Sequence, residues 1–87
     1  MRVSIKQLKD LCTYINELRN TPITPYERID GQLKANIGNY HLYQAYGAVG
    51  LHRMCNEGGG INEILSLSTK KELYDRMHAY IKGINNY

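Results

Sequence analysis

The chain carries a helix-start motif near each of its ends. Ser4 is followed three residues later by Gln7, and Thr69 is followed three residues later by Glu72. In such a capping box the first side chain accepts a hydrogen bond from the backbone three residues on, and the second side chain bonds back to the first residue. The sequence therefore predicts two terminal helices with a central segment of another kind between them.

The first helix is predicted over residues 5–19, ended by Asn20, Thr21 and Pro22. Its apolar stripe, with steps of three and four residues, is Leu8, Leu11, Cys12, Ile15 and Leu18. The polar side chains assigned away from that stripe are Lys6, Lys9, Asp10, Asn16 and Glu17. The matching stripe of the second helix is Leu73, Met77, Tyr80, Ile81 and Ile84. Both helices are expected to pack on one core.

Residues 40–44 and 49–54 are predicted to form a β-hairpin across a loop at 45–48. In that register Leu42 lies opposite Leu51 on the core side, together with the pairs Gln44/Val49 and Tyr40/Arg53. The other face receives the pairs His41/His52 and Tyr43/Gly50. A flexible Gly58-Gly59-Gly60 turn leads to a third strand at 61–67, while residues 22–39, with an Asp30-Gly31 pair, fit either a short hairpin or an irregular loop.

These elements predict an α+β fold for a single small domain over residues 1–87. The order is α-β-β-β-α, with an antiparallel meander packed against two helices. A chain of 87 residues suits one core. No signal-peptide core and no apolar run of the length of a membrane span is evident, and Cys12 and Cys55 form no C-x-x-C pair. We therefore expect a cytoplasmic protein with no membrane partner.

The strand face opposite the core is the first candidate site. It presents His41, Tyr43, His52 and Met54, with Tyr46 at its edge. The chain has eight Tyr and neither Phe nor Trp, and Tyr is a favoured anchor at interfaces. The leading hypothesis is a non-enzymatic interaction module that binds a protein partner or itself through this face.

The start of the second helix is the alternative site. Lys70 and Lys71 stand where a helix exposes backbone N–H groups and the positive end of its dipole, and Arg76 follows on another side. The formal charge of +3 permits a nucleic-acid partner without demanding one. The alternative hypothesis is a domain that binds double-stranded nucleic acid, with these three cations on phosphates.

Catalytic chemistry finds little support in the residue pattern. No nucleophile stands beside a base, and no pair of carboxylates has a reason to meet. His41 and His52 would need further ligands to hold a metal, and Gly58-Gly59-Gly60 lacks the lysine and serine of a phosphate-binding loop. We expect no enzyme, no cofactor and no metal. A small enzyme or metal protein that uses the histidine pair is a third hypothesis.

Several short stretches resemble a group of uncharacterised reading frames of bacteriophages and mobile elements of gut bacteria. They cover the C-terminal two-thirds of the chain and are Tyr40-His41-Leu42, Ala45-Tyr46-Gly47, Leu51-His52-Arg53, Asn56-Glu57-Gly58-Gly59 and Thr69-Lys70-Lys71-Glu72-Leu73-Tyr74. The resemblance implies a phage or mobile-element setting, with the host cytoplasm as the compartment. It implies no activity and transfers no catalytic residue.

The predicted order of elements also resembles that of the double-stranded-RNA-binding domain, which carries a lysine pair at the start of its second helix. Lys70 and Lys71 match that position. The small-residue pattern of that helix is replaced here by Glu72, Leu73 and Tyr74. This likeness is one of fold order, which unrelated functions share, and it implies nucleic acid as a partner only by analogy.

Overall fold

The computed structural model describes residues 2–85 and shows two helices around five strands. Their bounds are α1 Ile5–Arg19, β1 Tyr26–Ile29, β2 Gln32–Ala35, β3 Tyr40–Ala45, β4 Ala48–Met54, β5 Ile61–Ser68 and α2 Lys70–Asn85. β3, β4 and β5 form an antiparallel three-stranded sheet in that order, and β1 pairs with β2 in a separate hairpin. The predicted α+β class and the meander against two helices are confirmed, with the hairpin as an added element.

Helix α1 begins and ends as its sequence predicts. The Ser4 hydroxyl accepts a hydrogen bond from the Gln7 N–H at 3.2 Å, and the Gln7 side chain accepts one from the Ser4 N–H at 2.8 Å. Asn20 ends the helix in the left-handed conformation with φ of 55°. The placement of Asn16 on the polar side was wrong, since this residue is buried. Its side chain forms hydrogen bonds with Tyr40 and Thr21 instead of with solvent.

The β3–β4 hairpin has the predicted register, with Leu42 opposite Leu51 and His41 opposite His52. Its loop is shorter than predicted, because Ala45 and Ala48 pair and only Tyr46 and Gly47 form the turn. Both turn residues have positive φ, 53° and 74°. A two-residue turn of this hand matches the right-handed twist of the flanking strands, which explains why it replaces the four-residue loop.

Strand β5 joins β4 through an irregular ladder, with register shifts on either side of Leu51. Gly50 lies at this point. A Cβ atom on Gly50 would stand 2.9 Å from the Leu65 carbonyl oxygen, closer than such contacts occur. Gly50 is therefore what allows β5 to close onto β4.

The core lies between the sheet and the two helices. Both predicted apolar stripes face it, and its buried members are Val3, Leu8, Cys12, Ile15, Tyr40, Val49, Leu51, Leu73, Met77 and Ile81. Leu11, Leu18, Tyr80 and Ile84 from the predicted stripes are half-buried against this cluster. Neither helix has the length and apolar character required to cross a bilayer within residues 2–85.

The segment between α1 and β3 forms the hairpin that the sequence left open. Asp30 and Gly31 make its turn with φ of 51° and 78°, a conformation that Asp-Gly pairs favour. The hairpin is anchored at its base, where the Ala35 N–H donates to the Glu57 carbonyl oxygen at 3.3 Å and the Asn36 N–H donates to the Pro25 carbonyl oxygen at 2.8 Å. Most of its side chains are exposed.

Candidate interaction surface

The sheet face that points away from the helices carries a cluster of aromatic rings. The Tyr43 ring is stacked on the His52 ring, with centroids 4.5 Å apart and planes inclined by 15°. His41 meets His52 edge-on, with centroids 5.9 Å apart. We call this surface, which bears His41, Tyr43, His52 and Met54, the outer face. The predicted register brings three of its members into direct contact.

The outer face is less exposed than the sequence predicts. His52 is 7% exposed and Met54 is 1% exposed, so neither can offer a free contact surface. His52 is covered by the rings of Tyr43 and His41. Met54 lies at the end of β4, where residues 36–39 run alongside it: the Gly38 N–H donates to the Met54 carbonyl oxygen and the Met54 N–H donates to the Asn39 carbonyl oxygen, both at 2.8 Å.

The exposed side chains on and beside the outer face include two tyrosines. Tyr43 is 43% exposed, although its ring is fixed by the stack on His52. Tyr46 is fully exposed at the tip of the β3–β4 turn, and Ile61 on β5 is also exposed. Tyr43 and Tyr46 therefore stay as candidates for contact with a partner, His52 supports the Tyr43 ring, and Met54 is buried.

The electrostatics of His41 follow from its surroundings. Partial burial and the nearby charge of His52 lower the pKa of His41, and a hydrogen bond to Asn39 offsets this only in part. The Nδ1 atom of His41 lies 3.2 Å from the Asn39 Oδ1 atom, while the Asn39 amide donates to the Pro22 carbonyl oxygen at 2.7 Å. His41 therefore takes up a proton at a lower pH than an ordinary histidine does.

Metal binding needs more ligands than the histidine pair offers. Within residues 2–85, no three His, Cys, Asp or Glu side chains are grouped so that they could hold a metal ion. Both cysteines are free, Cys12 in the core and Cys55 at the surface. Burial raises the pKa of the Cys12 thiol to about 12, which makes it a poor ligand and a poor nucleophile.

The start of α2 is already engaged by its own side chains. The Thr69 N–H and hydroxyl donate to the Glu72 carboxylate at 3.3 and 2.9 Å, and the Glu72 N–H donates to the Thr69 hydroxyl. These bonds hold the pKa of Glu72 below its usual value. A carboxylate therefore occupies the region where a bound phosphate would benefit from the helix dipole.

The three cations predicted there are not equally available. Lys71 donates to both carboxylate oxygens of Asp75, at 2.8 and 2.6 Å. Lys70 and Arg76 are exposed, and Arg76 contributes to the low pKa of Glu72 through its charge. Of the three cations, Lys70 interacts least with a neighbouring carboxylate. One available cation is fewer than a phosphate-binding patch needs.

A second surface, which the sequence did not predict, lies along the free edge of β3. It is a groove of about 420 Å³ between that strand, α1 and the segment that leads to β1. We call it the edge groove; its lining residues are Lys9, Cys12, Thr13, Asn16, Ile23, Pro25, Tyr40, His41, Leu42 and Gln44. It could not be found by pattern, because it joins residues of a helix, a loop and a strand that are distant in sequence.

Comparisons of the chain with protein-family models, with curated proteins and with solved structures gave no match.

Proposed function

We propose that the chain is a small non-enzymatic interaction module that binds a protein partner, or a second copy of itself, through Tyr43 and Tyr46. The observation that carries the proposal is the stack of Tyr43 on His52. A half-exposed aromatic ring that is already immobilised loses little conformational entropy when a partner covers it. Rings of this kind are enriched among the residues that dominate binding energy.

Two further features agree with this function. Tyr46 stands in a two-residue turn with positive φ at both positions and is fully exposed, so its ring is accessible to a partner at the tip of the hairpin. The two free cysteines suit a reducing compartment, and we place the module in the cytoplasm. A phage-encoded module would act in the cytoplasm of its host.

The proposal is tested by quantitative capture from the cells that make the chain. The tagged wild type is compared with a Tyr43→Ala/Tyr46→Ala variant and with Tyr14→Ala, and a second copy with a different tag reports self-association. Tyr14 is a matched control, since it is 44% exposed, lies on α1, and is not among the residues that line the edge groove. We expect the double variant to reduce capture of a discrete protein by about tenfold or more, as loss of a hot spot does.

Equal capture by the double variant and the wild type would refute the proposal, as would the absence of any protein above background together with a monomeric mass. Circular dichroism of all variants shows whether the fold is intact. Loss with Tyr14→Ala as well as with the double variant would point to a different surface.

Nucleic-acid binding remains the alternative, and the exposed Lys70 is what supports it. Lys70 lines a cavity together with the β3–β4 turn, including Tyr46. Fluorescence anisotropy with duplex RNA and duplex DNA at two salt concentrations tests it. Binding that is steeply salt-dependent and lost in Lys70→Glu/Lys71→Glu would replace the leading proposal.

A further inference from the structure

Strand β3 has an edge that no other strand covers within the described residues, and its hydrogen-bonding groups alternate along that edge. Residues 45, 43 and 41 exchange hydrogen bonds with β4, because Ala45 and Ala48 close a two-residue turn and the pattern has a period of two. The backbone groups of Tyr40, Leu42 and Gln44 therefore point outward, toward the edge groove.

Of these three residues, only Tyr40 has hydrogen-bond partners for its outward backbone groups. The Asn16 side chain donates to the Tyr40 carbonyl oxygen at 3.0 Å and accepts from the Tyr40 N–H at 2.8 Å. An amide thus bonds Tyr40 as a neighbouring strand would. The outward groups of Leu42 and Gln44 receive no hydrogen bond from residues 2–85. An unpaired strand edge of this kind is a template for another strand.

The dimensions of the edge groove suit a short extended segment. Asn16 closes one end beside Tyr40, and the strand runs from there to Gln44, about 13 Å at the usual rise of a β-strand. On the helix side, Lys9 lies seven residues before Asn16, about 10 Å along the α1 axis. This length accommodates roughly three to four extended residues.

The charge of the groove lining indicates which kind of peptide the groove would bind. Lys9 lines it and forms no ion pair with any other residue of the described chain, whereas its neighbour Lys6 is paired with Asp10 at 3.1 Å. Among the residues that line the groove, none is acidic. An occupant with a carboxylate is therefore favoured over a neutral or basic one.

We propose that the edge groove binds an extended, acidic peptide segment of a partner protein, which adds a strand to β3 by pairing with Leu42 and Gln44 while a carboxylate of the segment meets Lys9. Main-chain hydrogen bonds supply the binding and Lys9 supplies the selectivity. The inference rests on the proposed function in that both require a protein partner, but it concerns a different surface.

The test uses two pools of acetylated, amidated hexapeptides in which varied apolar residues alternate with Glu in one pool and with Lys in the other. Amide hydrogen exchange by NMR is read at Leu42 and Gln44. In the free chain these amides exchange rapidly, while those of Tyr40, His41 and Tyr43 are protected. The Glu pool slows exchange at Leu42 and Gln44 by about tenfold, and the Lys pool does not.

Two variants and one modified probe make the test specific. Gln44→Pro removes the outward N–H and abolishes the protection at Leu42, whereas Gln44→Ala retains it. Methylation of alternate backbone nitrogens in the Glu pool also abolishes it, without any change to the protein. Lys9→Glu transfers the preference to the Lys pool, and Lys6→Glu does not.

Protection that is absent with both pools, that falls on other residues, or that survives Gln44→Pro would overturn the inference. Protection that appears at high protein concentration without peptide would overturn the acidic peptide as occupant and identify a second copy instead. If the peptides fail while Tyr43 and Tyr46 still capture a protein, only this inference falls. If the peptides bind while the tyrosine variants capture normally, only the tyrosine surface falls.

Discussion

The side-chain amide of Asn16 pairs with both backbone groups of Tyr40, 24 residues further along the chain. The Thr21 hydroxyl donates to the Asn16 Oδ1 atom at 2.7 Å, so the buried amide accepts two hydrogen bonds and donates one. This contact ties α1 to the edge of the sheet and sets the end of the edge groove. It thereby links the packing of α1 to the shape of the edge groove.

Replacement of Asn16 should therefore be costly. In Asn16→Leu the Tyr40 N–H and carbonyl oxygen lose their partner in a buried place, and we expect a loss of about 2 to 3 kcal/mol in the free energy of unfolding. Urea denaturation measures it. Glu17→Ala, on the exposed side of the same helix, is the control and should change stability by less than about 0.5 kcal/mol. Equal effects of the two substitutions would contradict this account.

The two cysteines should differ in reactivity. Because burial raises the pKa of Cys12 to about 12, only Cys55 should react with a thiol reagent at neutral pH, and both should react in denaturant. Titration with a chromogenic disulfide gives the number of reactive thiols. Rapid reaction of both thiols in the folded protein would show that the core around Cys12 is open.

The same thiol should destabilise the fold in alkali. Above the ordinary value of 9.0 the unfolded chain loses the Cys12 proton while the folded chain keeps it up to about pH 12, so the unfolded state binds fewer protons and stability falls as the pH rises. Comparison of the wild type with Cys12→Ala between pH 8 and 11 isolates this contribution from the tyrosines. A wild type that loses no more stability than the variant would contradict it.

His41 should make the fold sensitive to acid. Its pKa is lowered from 6.5 by burial and by His52, so as the pH falls below about 6.5 the unfolded chain takes up a proton that the folded chain does not. Stability contributed by neutral His41 is therefore lost as the pH falls. His41→Gln should flatten the decrease between pH 7 and 5. Glu63, opposite His52 on β5, is kept unchanged in this comparison.

Two glycines should respond in opposite ways to alanine. A Cβ atom at Gly50 would meet the Leu65 carbonyl oxygen, so Gly50→Ala should push β5 from β4 and cost more than about 2 kcal/mol. Gly83 lies in α2 with open space around it, and Gly83→Ala should stabilise the protein by about 0.5 to 1 kcal/mol. Thermal unfolding of the two variants gives the signs directly.

The sequence predicted most of the fold because its elements rest on local or periodic signals. Capping boxes at Ser4 and Thr69 fixed both helix starts, and the alternation around Leu42 and Leu51 fixed the strand register. The prediction that His52 and Met54 are exposed was wrong. Their burial depends on neighbouring rings and on residues 36–39, which strand alternation does not reveal. Asn16 was misplaced for the same reason, since its partner is in another element. The edge groove was not predicted either, because its lining comes from three separate segments and no single segment carries a pattern for it.

The central claim, that Tyr43 and Tyr46 contact a protein, is tested most directly by site-specific photo-crosslinking. A photoreactive phenylalanine analogue replaces Tyr43, Tyr46 or the control Tyr14 in the cells that make the chain, and crosslinked products are identified by mass spectrometry. We predict that positions 43 and 46 crosslink to one discrete protein, or to a second copy of the chain, and that position 14 does not. No crosslink from position 43 or 46, or the same products from all three positions, would contradict the account.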